Sequence, residues 1–213
     1  METSRQEEAD TVATCTDAQS CIGCATTVPA DAPSMLVLKR LLAAHEAWFD
    51  VTRDFHFAGR TFPGFAEFHS HGEQYVLSKR AKLWEVDTHE YIFFEIVEHL
   101  EEAIFRSDVD FMTAEAIRMV KPAPNHMSSN ISLVIVADAM DADVEPLVRR
   151  TKFRKNHLLG LQGWTDLRIA VVDLAGGLDG RILTNAAGKT LRPTIEQNLG
   201  QIPGEPARRP AHR

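Results

Sequence analysis

The sequence is short of the features that announce a compartment or a cofactor. It has 3 cysteines, and all of them, Cys15, Cys21 and Cys24, precede residue 25. A disulfide-stapled fold is excluded, because staples must be spread along the chain they hold. No apolar run approaches the ~18–20 residues that cross a bilayer; the longest useful one is Leu133–Ala137. The opening METSRQEEAD has neither the basic nor the apolar region of a secretory leader. Together these absences predict a reduced, cytoplasmic protein without a membrane partner. Positive charge is also in deficit. A net charge of −7 argues against nucleic acid or anionic lipid as a partner of the whole molecule.

Residues 1–33 contain no aromatic side chain, and they hold Glu2, Glu7, Glu8, Asp10, Asp17 and Asp31 against Arg5 alone. Such a segment has too little apolar surface to offset its ordering entropy, so it is expected to be disordered unless a metal orders it. Residues 201–213 include the run IPGEPARRPAHR and are expected to form a flexible Pro/Arg tail. What remains, 34–200, is the expected globular domain. The chain as a whole has 213 residues, 44% apolar and 25% charged, an ordinary balance for one domain with a full core.

Ser34 can cap a helix over about 35–49, whose apolar stripe is Met35, Leu38, Leu41, Leu42, His45, Trp48 and Phe49. Extended, aromatic-rich stretches follow at 54–58, 65–77 and 82–96, the last two joined as a hairpin through Ser78–Ala81. A helix or broken pair runs from Val97 to about Val120, stopped by the Lys121-Pro122-Ala123-Pro124 run. ISLVIVADA, Ile131–Ala139, is a β-branched apolar run and the expected central strand, with Leu133 and Ile135 on it, Ile169 and Val171 on a later strand and Trp84 on the hairpin expected to be mostly buried. A short helix to about Phe153, strands at 158–164, 167–174 and 181–184, and a helix over about 187–198 complete the chain. The predicted class is α+β, a single domain with a largely antiparallel or mixed sheet of about six strands covered by helices. Its order is α-β-β-β-α-β-α-β-β-β-α.

The stretch FHSHGEQ holds the main chemical signal. In a strand, Glu67, His69, His71 and Glu73 share one face, because side chains alternate. On the next strand Glu85, Asp87 and His89 share a face as well. If the hairpin register joins the two sets, imidazoles and carboxylates meet in a combination suited to zinc or iron. A one-residue slip would send the sets to opposite faces, and Gly72 marks a place where a bulge could break the alternation. The competing reading is the polar outer face of a half-buried sheet.

Cys21-Ile22-Gly23-Cys24, with Cys15 upstream, is a second candidate metal site. CIGCATTVPADAP resembles the cluster-binding run of bacterial ferredoxins, C-x2-C-x2-C-x3-C-P. Thr27 and Asp31 occupy the third and fourth ligand positions, and the proline arrives one residue late at Pro33. Three thiolates could still hold zinc with one outside ligand. A basic run, Arg149, Arg150, Lys152, Arg154 and Lys155, could grip phosphate, or could complement the end of a helix. Asn185–Thr190 ends like a phosphate-binding loop but has Leu183 where its first glycine belongs, and Asp141–Glu145 starts like a calcium loop but meets Pro146 at the required glycine.

FHSHGEQYVLSKRAKLWEVDTHEYIFF resembles a stretch of an uncharacterised family of small proteins from anaerobic bacteria. The similarity extends over about 35–190 and leaves the cysteine run outside. It implies a shared fold and no particular chemistry. Three functions follow from the residues. The first is a non-enzymatic binding or accessory module that holds a metal or small ligand, its partner a small molecule or protein. The second is a metal-dependent enzyme centred on the hairpin. The third is a nuclease-like or nucleic-acid-binding protein, since helix–three strands–helix–strand is the order of restriction-type nuclease cores. Those carry an E-x-K pair on a core strand; here the corresponding stretch reads Glu85-Val86-Asp87, with no lysine at the needed spacing.

Overall fold

A computed structural model describes residues 29, 32–75, 82–122, 126–178 and 180–199, and for 70–75, 82–87 and 126 the backbone alone. The two expected tails, and with them Cys15, Cys21 and Cys24, lie outside the described residues, as does the Ser78–Ala81 connection.

The elements are α1 (Pro33–His45), β1 (Asp50–Phe57), β2 (Arg60–Tyr75), β3 (Lys82–Leu100), α2 (Glu102–Ala114), β4 (His126–Met140), α3 (Val144–Arg150), β5 (Arg154–Asn156), β6 (Trp164–Asp173), β7 (Arg181–Thr184) and α4 (Arg192–Asn198), with short 3-10 turns at 116–119, 158–160 and 187–190. The helix and strand order is the one expected. The sheet has seven strands in the order β1-β2-β3-β4-β6-β5, with β7 also paired to β6. It is mixed: β3–β4 and β4–β6 are parallel, and the other pairs are antiparallel.

The β1–β2 hairpin turns through Ala58 and Gly59, both at positive φ (46° and 81°). That is the primed turn whose twist suits paired strands. Within the hairpin, Asp54 is left-handed (φ 51°) and falls between the pairs Arg53↔Gly64 and Phe55↔Phe62, opposite Pro63, which has no N–H to give the ladder. The irregularity resets the alternation. Phe62 and Phe65 therefore both bury in the same core cluster, although three residues apart they would otherwise point to opposite faces.

Two apolar layers sandwich the sheet. On one face Phe62, Phe65, Phe93, Leu133, Ile135, Ile169 and Val171 pack under α2 and α3. On the other Ala66, Ile92, Phe94, Val134, Val136, Ala170 and Val172 pack under α1 and α4. β4 lies in the middle, buried on both faces, which is why its sequence is a continuous apolar run. The expected core residues Leu133, Ile135, Ile169 and Val171 are all fully buried. Trp84, expected beside them, has a side chain outside the described residues.

Several local expectations need correction. Val97–Leu100, expected to open a helix, extend β3, and the helix begins only at Glu102. Ser34 does not cap its own helix. Its N–H and hydroxyl donate to the two carboxylate oxygens of Asp138 on β4, at 3.0 and 2.9 Å, so a sheet residue caps α1 and docks it. The helix stops at His45, leaving Trp48 in a turn and 78% exposed. The strand expected at 158–164 is a 3-10 turn instead, because Leu158 and Leu159 take positive φ (45° and 54°), and the strand falls at Arg154–Asn156.

Candidate functional site

β2 and β3 pair with the register Glu67↔Tyr91, His69↔His89, His71↔Asp87 and Glu73↔Glu85. Direct partners in an antiparallel pair share a face, with Cβ atoms roughly 4.5–5.5 Å apart. The two ionisable sets thus occupy facing positions along one ladder. Gly72 pairs with Val86 without a break, and the register shift comes later, between Glu73 and Tyr75. The expected bulge at Gly72 is absent from the ladder.

At the described end of this ladder, Nδ1 of His69 and Nδ1 of His89 are 2.7 Å apart, with the rings edge to face. One of the two must carry a hydrogen. Nε2 of His69 lies 3.4 Å from the Glu67 carboxylate. Tyr91 closes the row beneath both rings, 5.8 Å from His69 and 6.4 Å from His89. Burial, then the Glu67 charge, pushes its phenol above the usual range.

The ladder sits on the α2/α3 face, continuing Phe65 and Phe93 outward, and His69 is half-exposed. The side chains of His71, Glu73, Glu85 and Asp87 are outside the described residues. Among the described residues no group of three or more His, Cys, Asp or Glu side chains is arranged to hold a metal ion.

The other sequence candidates are engaged elsewhere. Arg149 pairs with Glu145, and Arg150 donates to the Pro146 carbonyl. Arg154 makes a two-pronged pair with Asp166 at 2.6 and 2.7 Å and lies over the Trp164 ring. Of the calcium-loop-like acids, Asp141 meets His99 at 2.7 Å, and Glu145 takes both Arg149 and Arg181. Arg149 and Arg154 of the basic run are thus already matched to carboxylates.

Two polar groupings escaped the sequence reading. Arg60, stacked on Phe62 and Phe111, bonds Asp108 of α2 at 2.6 Å and lies 3.6 Å from Glu95 of β3. Asp108 is buried and Glu95 partly buried, and Oε2 of Glu95 and Oδ2 of Asp108 have no hydrogen-bond partner among the described residues. Burial, reinforced by the Asp108 charge, pushes the Glu95 carboxyl up to about 8 against the opposing pull of Arg60. The only sequence signal was an acid inside the apolar run YIFFEIV. The second grouping is Glu90 with Arg168, 2.9 Å apart on the floor of a cavity under α1 and α4.

A family profile described as "Domain of unknown function (DUF8052)" matches residues 34–197. The chain belongs to that family. No curated protein and no solved structure matches it. The DUF8052 span contains the ladder and all seven strands, and it begins after Cys15, Cys21 and Cys24, so the cysteine run is outside the domain. No helix among the described residues of the DUF8052 protein is long and apolar enough to cross a membrane.

Proposed function

We propose that this protein is a non-enzymatic, cytoplasmic binding module that holds a divalent zinc or iron ion on the β2–β3 ladder. The supporting observation is the register, which sets Glu67, His69, His71 and Glu73 opposite Tyr91, His89, Asp87 and Glu85. Histidine nitrogen and carboxylate oxygen are the donors such ions take. At 2.7 Å the two Nδ1 atoms share a proton; two nitrogens on a tetrahedral ion stand roughly 3.3 Å apart at ordinary bond lengths. Loading would therefore expel that proton and turn half-exposed rings. An enzymatic reading uses the same residues and needs a substrate cleft beside them. The cavity lined by Glu90, Ile92 and Phe94 lies on the opposite face of the sheet and supplies no substrate space to the ladder.

Protein purified without oxygen from zinc- and iron-supplemented cells should carry metal. His69→Ala/His71→Ala should lower metal content at least roughly tenfold without unfolding the domain, since removing a ligand is more damaging than removing its support. Affinity should fall as pH drops through about 6.5, where imidazoles take protons and cease to be ligands. Elemental analysis at matched protein concentration reads both. Metal that survives the histidine changes but is lost on Cys21→Ser/Cys24→Ser would transfer the site to the cysteine run.

A further inference from the structure

A cavity under α1 and α4 lies on the face of the sheet opposite the ladder. Its volume is about 320 Å³, room for about ten non-hydrogen atoms at roughly 30 Å³ each. Ile92, Phe94 and Val134 line it from the sheet, and His45 and Phe49 from the end of α1 and the turn after it. His45 contributes in a fixed tautomer: its Nδ1–H donates to the Leu41 carbonyl at 2.7 Å.

The polar part is set into that apolar floor. Arg168 donates one N–H to Oε1 of Glu90 at 2.9 Å, and both side chains are only 20% exposed. A guanidinium has five N–H groups, and among the described residues Glu90 is the one hydrogen-bond partner of Arg168. Ser132 is paired in register with Ile92 on one side and Arg168 on the other. It shares their face by alternation, is fully buried beneath the lining, and its hydroxyl has no hydrogen-bond partner among the described residues. The lining thus offers the remaining donors of Arg168 beside one acceptor edge, Glu90.

We propose that this cavity binds a small, planar, uncharged molecule with an adjacent carbonyl and N–H on one edge, as in a cyclic amide or a nucleobase-type ring. The carbonyl takes hydrogen bonds from Arg168. The N–H donates to Glu90. The ring lies on Ile92, Phe94 and Val134. A carboxylate head fits less well. Its attraction to Arg168 is offset by repulsion from Glu90, each worth about three decades of equilibrium constant for charges about 4 Å apart at an effective dielectric of about 20, while its own loss of water is not compensated. A purely apolar guest leaves the Arg168 donors unmet.

The test uses the full chain with uracil, 2-pyridone, benzoate and toluene as probes, read by saturation-transfer NMR and titration calorimetry. Uracil or 2-pyridone should bind at least tenfold more tightly than benzoate. Glu90→Met/Arg168→Met, which replaces an ion pair with apolar groups of similar length, should lose at least tenfold in amide binding and keep or improve toluene binding. Ala44→Trp, which adds bulk to the lining, should abolish both. Three results would overturn the proposal: benzoate binding more tightly than the amides, unchanged amide affinity in either variant, or no binding by any probe. Metal content of the ladder is measured on the same samples, so failure here is distinct from failure there.

Discussion

Replacing Arg60 by leucine should destabilise the domain by about 3–5 kcal/mol at neutral pH, the range found when one partner of a buried ion pair is removed. Arg60 is the cation beside one buried and one partly buried acid, bonded to Asp108 at 2.6 Å and 3.6 Å from Glu95. Without it Asp108, 2% exposed, has no compensating charge. The loss should shrink at acid pH, where the carboxyls are neutral. Glu95→Gln should act in the opposite direction. The folded carboxyl titrates at about 8, against an ordinary value of 4.5. Because this value is raised, the native state holds a proton that the unfolded state releases between those limits. Stability is therefore fully present below pH ~4.5 and falls as pH rises toward ~8. At about 1.36 kcal/mol per unit, the full effect is on the order of 5 kcal/mol. Asp108 is raised by burial as well and adds to the same slope. Glutamine mimics the protonated form, so the variant should be more stable than the parent at pH 8 and equal to it near pH 4.5. Urea melts at pH 4.5, 6, 7 and 8 measure both changes. A parent slope that persists unchanged in Glu95→Gln would place the titration elsewhere, and an Arg60→Leu cost under about 1 kcal/mol would mean that the acids find another partner.

Asn185→Ala should cost a comparable amount, about 3–5 kcal/mol, for a different reason. β6 is the edge on which two short strands dock. β5 pairs with 164–166 and β7 with 170–173, which leaves 167–169 between them without a strand. The buried Asn185 side chain fills the gap. Its Oδ1 accepts from the N–H of Ile169 at 3.0 Å and of Gly188 at 2.7 Å, and its Nδ2 donates to the carbonyls of Leu167 at 2.9 Å and Thr151 at 3.2 Å. One amide thereby imitates a missing piece of strand and ties the end of α3 and the 187–190 turn to it. Alanine orphans four backbone groups, each costing roughly 1–3 kcal/mol when buried, with some relaxation. Aspartate should be no better, because it has no N–H for the two carbonyls and brings a charge. Gly188 is held to the same spot: a Cβ there would lie 2.2 Å from the Ile169 carbonyl oxygen. Denaturant midpoints with unchanged slope report the loss; a shift equivalent to less than about 1 kcal/mol for Asn185→Ala would show that water replaces the amide.

Much of this architecture was legible in the chain. Period-two and period-3.6 patterns arise from backbone geometry that each segment carries with it, so the order of helices and strands, the doubly buried β4 and the cores at Leu133, Ile135, Ile169 and Val171 could be read from local residues. What went astray was also local but depended on packing. Trp48 continues a helical stripe in sequence, yet the helix has ended by then. Leu158 and Leu159 look like strand residues, yet they turn through positive φ and leave the pairing to Arg154–Asn156.

The sites divide along the same line. Alternation alone places Glu67, His69, His71 and Glu73 on one face of β2, and Asp87 and His89 on one face of β3. That the two faces coincide is a matter of register, decided by the burial of Phe65 and Tyr91 against the α2/α3 layer, since a slip of one residue would expose them. Arg60, Glu95 and Asp108 lie on three elements, as do Glu90, Ser132 and Arg168. No local pattern links residues so far apart along the chain. They meet only because helices dock on both faces of a twisted mixed sheet, and the low-dielectric interior created there gives those charges their partners and raises the proton affinity of Glu95 and Asp108.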